Sequence, residues 1–354
     1  MPDYETDFNP EARSAVVKRR LKTVPRSLLL LVLLTILAPI VFPIALAVDF
    51  GRFLIFRRPF MAVRMIAFGW VWLATEAVGI VRFFLHWLTA GFGRNRKRMV
   101  DRAWAVQQWW ARVLFGSVRR LFRLGLEIEG YDSVTPGPIL AMFRHASIID
   151  NLLPAALLTD AKGLKLRWLI KRELLQVPSL DVGGKRLPNY FVDRSAADPR
   201  EELRRIRALG SNLAADEGLL IYPEGTRFTE RRRSRALEKL HESASNLYER
   251  ASNLRYVLPP KTGGVLTLLD SGVDPLICAH EGLGGFAKVS DIWSGAIMNT
   301  TIRVKFWRVA ATDVPTDRKG RIDWLYTQWE AIDAWIASVK PPSVADTQTA
   351  PGIA

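Results

Sequence analysis

The chain is poor in cysteine and in histidine. A single cysteine, Cys278, stands among 354 residues. That excludes an internal disulfide and any site built on a Cys–Cys metal pair, and it agrees with a reducing compartment. Only His86, His145, His241 and His280 can supply a proton-transferring imidazole. Acidic residues are also short, 35 against 50 basic ones, for a formal net charge of +15. Such a surplus implies an acidic neighbour: nucleic acid, anionic lipid headgroups, a phosphate-bearing substrate or an acidic carrier protein. No Gly-x-Ser-x-Gly stretch occurs, so a serine nucleophile elbow is not supported. No internal repeat is visible.

Apolar sequence is abundant. The chain is 49% hydrophobic while 24% of it is charged, a mixture that points to a globular part joined to a membrane-embedded part. The basic residues crowd beside the apolar segments and no nucleic-acid-binding module appears, so nucleic acid is set aside as a partner. From Ser27 to Val48 the chain reads SLLLLVLLTILAPIVFPIALAV, without a charge. About 20 apolar residues span a hydrocarbon core. A cleaved signal peptide competes, because a basic region precedes the run, but the run is longer than a signal core. Pro39 and Pro43 imply a kinked or re-entrant helix. A second segment, Met65 to Val81, contains Glu76, and a carboxylate at mid-membrane is costly. It either spans with Glu76 facing a partner helix or lies shallowly in the interface. Six tryptophans (Trp70, Trp72, Trp87, Trp104, Trp109, Trp110) cluster here, and tryptophan favours the headgroup layer. Ala103 to Phe122 patterns as an amphipathic helix, lying on a membrane or facing a core. All three flanks of the two apolar segments are basic. Positive residues favour the cytoplasmic side, so both ends are expected on the cytoplasmic face, with a hairpin that crosses twice or dips in and returns.

After about residue 124 the pattern alternates strand and helix, an α/β signature. Strands are expected at 126–131, 138–143, 167–171, 189–194, 218–225, 274–282 and 302–309. Helices are expected at 150–158, 198–215, 235–251 and 324–339. The organisation read from this is a basic segment 1–26, a membrane-anchoring helical region 27–122, an α/β domain 123–340 and a tail 341–354 expected to be disordered.

Two stretches carry chemistry. In FRHASIID, His145 ends a strand-like run and Asp150 follows five residues on. Five residues advance about 140° beyond a full helical turn, so the two cannot share a helix face. They can meet if His145 sits in the turn before the helix. Asp150 would then hold Nδ1–H and leave Nε2 to take a proton; the other reading is two unrelated polar residues at a turn. Ser147 fits a helix cap better than a nucleophile. In LLIYPEGTRFT, a strand delivers a turn in which Gly225 permits close backbone approach. Thr226 offers a hydroxyl there, and Arg227 can grip a phosphate through its planar fork. The plainer reading is a tight turn with a surface arginine.

Taken together the two stretches resemble the glycerolipid acyltransferases, of the 1-acylglycerol-3-phosphate acyltransferase type. His145 and Asp150 match the family's His-x4-Asp block, and Tyr222 to Arg227 match its Phe/Tyr-Pro-Glu-Gly-Thr-Arg block in full. YFVDR places Arg194 where a further block ends in arginine, LIKREL offers Lys171, and LPPKTGG offers Pro260 with Gly263. The blocks run in the family's order from about residue 124 to 310. Two positions depart from it, Arg144 where asparagine is usual and Ala146 where glutamine or arginine is frequent. A cation at Arg144 would depress the His145 pKa if the two lie close.

The resemblance implies a mixed central sheet flanked by helices, behind an N-terminal membrane hairpin. It implies acyl transfer from a thioester, acyl-CoA or acyl carrier protein, to the sn-2 hydroxyl of 1-acylglycerol-3-phosphate. His145 would be the base and Asp150 its orienting acid. Arg194, Arg227 and Lys171 would hold the acceptor phosphate, with Gly225, Thr226 and Pro260 shaping that pocket. Glu224 would touch an acceptor hydroxyl or position Arg227. No metal and no cofactor beyond the acyl donor is implied, and membrane lipids are the expected surroundings. Another lysophospholipid or a glycolipid as acceptor, or lipid binding without turnover, are the alternatives. The run Arg231-Arg232-Arg233-Ser234-Arg235 is either a solvated face or a docking patch for anionic lipid, coenzyme A phosphates or a carrier protein.

Overall fold

The computed structural model describes residues 8–192, 198–243, 245–286 and 289–340. The expected tail 341–354 and the expected phosphate ligand Arg194 lie outside these residues. Among the described residues one sheet is built from β1 (Gly125–Glu129), β2 (Ile139–Phe143), β3 (Lys165–Lys171), β4 (Tyr190–Val192), β5 (Glu217–Ile221), β6 (Asp274–Glu281) and β7 (Thr301–Arg308). Their order in space is β1-β7-β6-β2-β5-β3-β4. Every pairing is parallel except β6 with β7. The α/β fold with a mixed central sheet is therefore as expected.

The three central strands β2, β5 and β6 are near-continuous apolar runs, as strands covered on both faces require. Their side chains alternate between two cores. Ile139, Ala141 and Phe143 of β2 join Leu220 and Cys278 on one face, beneath Leu114, Val118 and Phe122. Leu140 and Met142 join Leu219 and Ile277 on the other, beneath Leu268, Trp329 and Ile332. The pleat thus decides which of two successive residues at the end of β2 faces which core.

Four long helices precede the sheet: α1 (Arg13–Ile36), α2 (Ala38–Phe56), α3 (Ala62–Thr89) and α4 (Arg96–Phe122). The break in the first apolar run falls at Leu37, and Pro39 stands in the first turn of α2, where its missing N–H costs nothing. Helix α4 is a core helix, since Leu114 and Val118 are fully buried. For Trp104 the headgroup-layer expectation is corrected accordingly. Trp104 is buried, and the rings of Trp72 and Trp110 meet edge-on at 5.6 Å. Trp70 remains partly exposed.

Helices α2 and α3 are each long and apolar enough to cross a membrane. Their acidic residues, however, are bound within the protein. Asp49 is fully buried and accepts from the backbone N–H groups of Met61, Ala62 and Val63 at 3.0, 2.9 and 3.0 Å, capping α3. Glu76 accepts from Ser179 N at 2.9 Å, Ser179 Oγ at 2.6 Å and Trp110 Nε1 at 3.3 Å. Farther along α3, Arg186 donates to the carbonyl of Phe83 at 2.9 Å. Arg19 and Arg20 of α1 hold Asp181 at 2.7 and 3.1 Å. Helix α1 is thus tied to the α/β domain at Arg19 and Arg20, and α3 at Glu76 and Phe83.

Several expected helices end elsewhere. The one begun at residue 198 stops at Leu209, before Gly210 and a polar loop. That expected over 150–158 is a short α turn, Leu152–Pro154, continued as a π turn to Asp160. That over 235–251 is two helices, Glu230–Ser243 and Ser245–Asn253. The C-terminal helix starts earlier, at Arg318, because the Asp317 side chain accepts from Gly320 N at 2.9 Å and caps it.

Candidate active site

The parallel strands β2, β5 and β3 deliver their carboxyl ends to one rim, where open α/β sheets place their sites. His145 lies two residues past β2. Tyr222 to Arg227 follow β5, and Lys171 ends β3. β2 and β3 are two strand spacings apart, roughly 10 Å, with β5 between them.

His145 and Asp150 meet. Nδ1 of His145 lies 3.1 and 3.2 Å from the two carboxylate oxygens of Asp150. The chain makes this contact by turning at once after β2. Asp150 Oδ2 accepts from the backbone N–H of Ala146 at 2.6 Å and of Ser147 at 2.8 Å. Ser147 Oγ in turn accepts from Ile149 N at 3.2 Å and Asp150 N at 3.1 Å, the capping task expected of it. Asp150 is fully buried. Burial alone would raise its pKa, but the bond from His145 and the backbone N–H of Ser147 outweigh that and hold it below the ordinary carboxylate range. With Nδ1 committed to Asp150, Nε2 is the nitrogen that faces the chemistry. The imidazole packs against Tyr222, ring centroids 4.6 Å apart.

The second motif holds the first by its backbone. Glu224 Oε1 accepts from His145 N at 2.7 Å, and the carbonyl of His145 accepts from Phe228 N at 2.8 Å. Glu224 Oε2 accepts from Leu258 N at 2.9 Å. Glu224 is 1% exposed, so the expected contact with an acceptor hydroxyl or with Arg227 is not what this side chain makes. Its carboxyl group braces three loops instead. Gly225 turns with a φ of 65°, the left-handed region that glycine enters without strain. A Cβ there would press on Lys261 at 3.1 Å. Thr226 and Arg227 are half-buried on the same turn, and Pro260 is buried beside Lys261.

The Arg144 side chain is turned away from His145. The pleat sends it to the opposite face of the sheet. There its guanidinium donates to the carbonyls of His280 and Tyr256 and pairs with Glu281 at 3.0 Å. Sequence reasoning missed His280, which stands near the end of β6 as His145 stands just past the end of β2. A histidine closing an apolar strand was the same signal, present in PLICAHE, and it went unused.

Residues 125–276 match the family model described as Acyltransferase. No curated protein matches the chain by sequence. Among solved structures the chain is similar to the 1-acyl-sn-glycerophosphate (LPA) acyltransferase PlsC from Thermotoga maritima. The TM-score is 0.51 at 13% identity, over 79% of this chain and 99% of that one. The two share a fold, and the resemblance carried by HASIID and YPEGTR is borne out.

Proposed function

We propose that this chain, whose residues 125–276 form a domain of the acyltransferase family, moves a fatty acyl group from a thioester to the sn-2 hydroxyl of 1-acylglycerol-3-phosphate. The observation that carries the reading is the His145–Asp150 pair, oriented at a sheet rim by a fully engaged carboxylate. Nε2 of His145 takes the hydroxyl proton as that oxygen attacks the thioester carbonyl. The tetrahedral adduct collapses, the C–S bond breaks, and the departing thiolate takes the proton back from the imidazolium. Asp150 stabilises the cation in between. The products are an ester and a free thiol, with no acyl-enzyme.

Arg227 and Lys171, with Arg194, hold the acceptor phosphate in this reading, which converts an encounter into an oriented complex. The donor is acyl-CoA or acyl carrier protein, and no cofactor besides it enters the steps. The helical layer docks on the bilayer. Leu29, Ile36, Ile40, Ile44, Leu54 and Ile55 are exposed along α1 and α2, and clustered exposed apolar side chains of this kind mark membrane or partner contacts. Because α1 is bound to the α/β domain at Arg19 and Arg20 and α3 at Glu76 and Phe83, we place them in the plane of the cytoplasmic leaflet rather than across it.

Purified protein in phosphatidylcholine vesicles with acyl-labelled acyl-CoA and lysophosphatidate tests the reading; a two-chain phosphatidic acid that carries the acyl label is expected. Arg227→Ala should raise KM for the acceptor about tenfold and leave that for acyl-CoA unchanged. Lipid binding without any product would favour a non-catalytic protein. Equal rates on an acceptor lacking phosphate would overturn the phosphate assignment.

A further inference from the structure

We infer that His280 is a positioning residue of the proposed acyl transfer, whose imidazole fixes the Arg144–His145 peptide and through it the His145–Asp150 pair. The inference rests on the reading above.

The parallel pairing of β2 with β6 sets Phe143 beside Cys278, so two residues on, His145 comes level with His280. Both lie on the same face by the pleat. Nε2 of His280 is 3.0 Å from the carbonyl oxygen of Arg144 and 3.8 Å from Asp150 Oδ2. A carbonyl only accepts, so Nε2 carries the proton. Nδ1 is buried with no hydrogen-bond partner, a position that cannot stabilise a second proton. Burial accordingly pushes the His280 pKa down to about 4.

The result is a peptide clamped from both edges. Its carbonyl accepts from His280, and its N–H donates to Glu224 at 2.7 Å. The clamp is reciprocal across the sheet, since Arg144 donates to the carbonyl of His280 and Arg144 N donates to that of Cys278 at 3.1 Å. The groups facing the His280 ring or its immediate partners are Asp150, His145 and Arg144 from β2 and its turn, Glu224 and Tyr222 from the loop after β5, and Glu281 and Cys278 from β6 itself. An apolar side chain would fill the same space without stranding a buried nitrogen, which is a real cost. What offsets that cost is the N–H, aimed at the peptide that carries the base and toward the carboxylate that orients it.

Two measurements on the full-length protein in detergent or vesicles decide the matter. Nitrogen shifts of 15N-histidine-labelled wild type, simple to assign with four histidines, should show His280 neutral with its proton on Nε2 from pH 5 to 8. A His280 that titrates near the ordinary histidine value, or carries the proton on Nδ1, overturns the clamp. His280→Phe should then lower kcat about 100-fold, the scale of a misplaced catalytic group, with KM unchanged and the titration of His145 displaced. His280→Gln, which keeps a donor near Nε2, should return to within about threefold of wild type. Wild-type kcat in the Phe variant overturns the inference. So does a loss of rate with the His145 titration unmoved, which would mean packing alone. A wild-type protein without acyl transfer sinks the activity reading, whereas an active wild type with an equally active Phe variant sinks only the clamp.

Discussion

The helical layer and the sheet rim both bury carboxylates, and they use them differently. Asp49 and Glu76 are satisfied by structural donors, backbone N–H groups and Arg52 for the first, Ser179 and Trp110 for the second. At the rim, Asp150 and Glu224 are just as fully engaged, but the group they hold, His145, keeps Nε2 in reserve. Burial and satisfaction therefore do not mark chemistry. A satisfied carboxylate that leaves its partner with one uncommitted nitrogen does.

The largest test of that difference is removal of the partner. His145→Ala should lower kcat about 1,000-fold, within the range of general-base catalysis. Stability should change little, because the backbone bonds of residue 145 to Glu224 and Phe228 do not need the imidazole. Steady-state kinetics beside a thermal melt reads both; near-normal turnover would remove His145 from the base role. The mirror experiment is Asp49→Ala. It should cost about 1–2 kcal/mol, the size of a lost helix cap, seen in denaturant titration, with kcat per folded molecule unchanged. A selective loss of kcat there would erase the contrast between the two regions.

The contrast was only half legible in the sequence. β2, β5 and β6 were visible because buried parallel strands read as apolar runs, and their ends located His145 and the Tyr222–Arg227 turn. The His145–Asp150 contact was legible because a five-residue step forbids a shared helix face and requires a turn. Glu224 was misread as a substrate contact, since nothing in YPEGTR says that the amides of residues 145 and 258 converge on it. Glu76 read as a membrane problem because its solution, Ser179, lies far along the chain. His280 gained meaning only from the pairing of β6 with β2. Each of these depends on which elements become neighbours, and periodicity carries no information about that.

A smaller effect separates the regions by pH. Burial, against the pull of two amides and Arg144, lifts Glu224 to about 8. The folded protein then keeps a proton there that the unfolded chain releases near pH 4.5. Folding takes up that proton between these values, so this group makes stability fall as pH rises from 4.5 to 8. Glu224→Gln should lower the melting temperature at pH 6, having lost one acceptor oxygen, yet flatten its decline from pH 6.5 to 8. Asp49→Ala should lower the melt by a similar amount and leave the decline intact. Parallel slopes for wild type and Glu224→Gln would refute the protonated brace.

The smallest expected effect lies just beyond the rim, in the arginine run. Two of its members are built into the fold: Arg232 donates to the Arg227 carbonyl at 3.0 Å, and Arg233 to those of Leu254 and Ser252 at 2.6 and 2.7 Å. Arg231 and Arg235 are exposed, and exposed substitutions away from packing sit within about 0.5 kcal/mol. Replacing both by alanine should therefore leave the melt in place. If the pair only solvates a face, kcat/KM is also unchanged at every salt concentration. If it docks an anionic donor, kcat/KM for acyl-CoA falls a fewfold at low salt and the difference vanishes at high salt, where screening removes the attraction. Either result extends the comparison, because it shows whether charge beside the rim serves the reaction, as the imidazole does, or only the fold, as the buried carboxylates of the helical layer do.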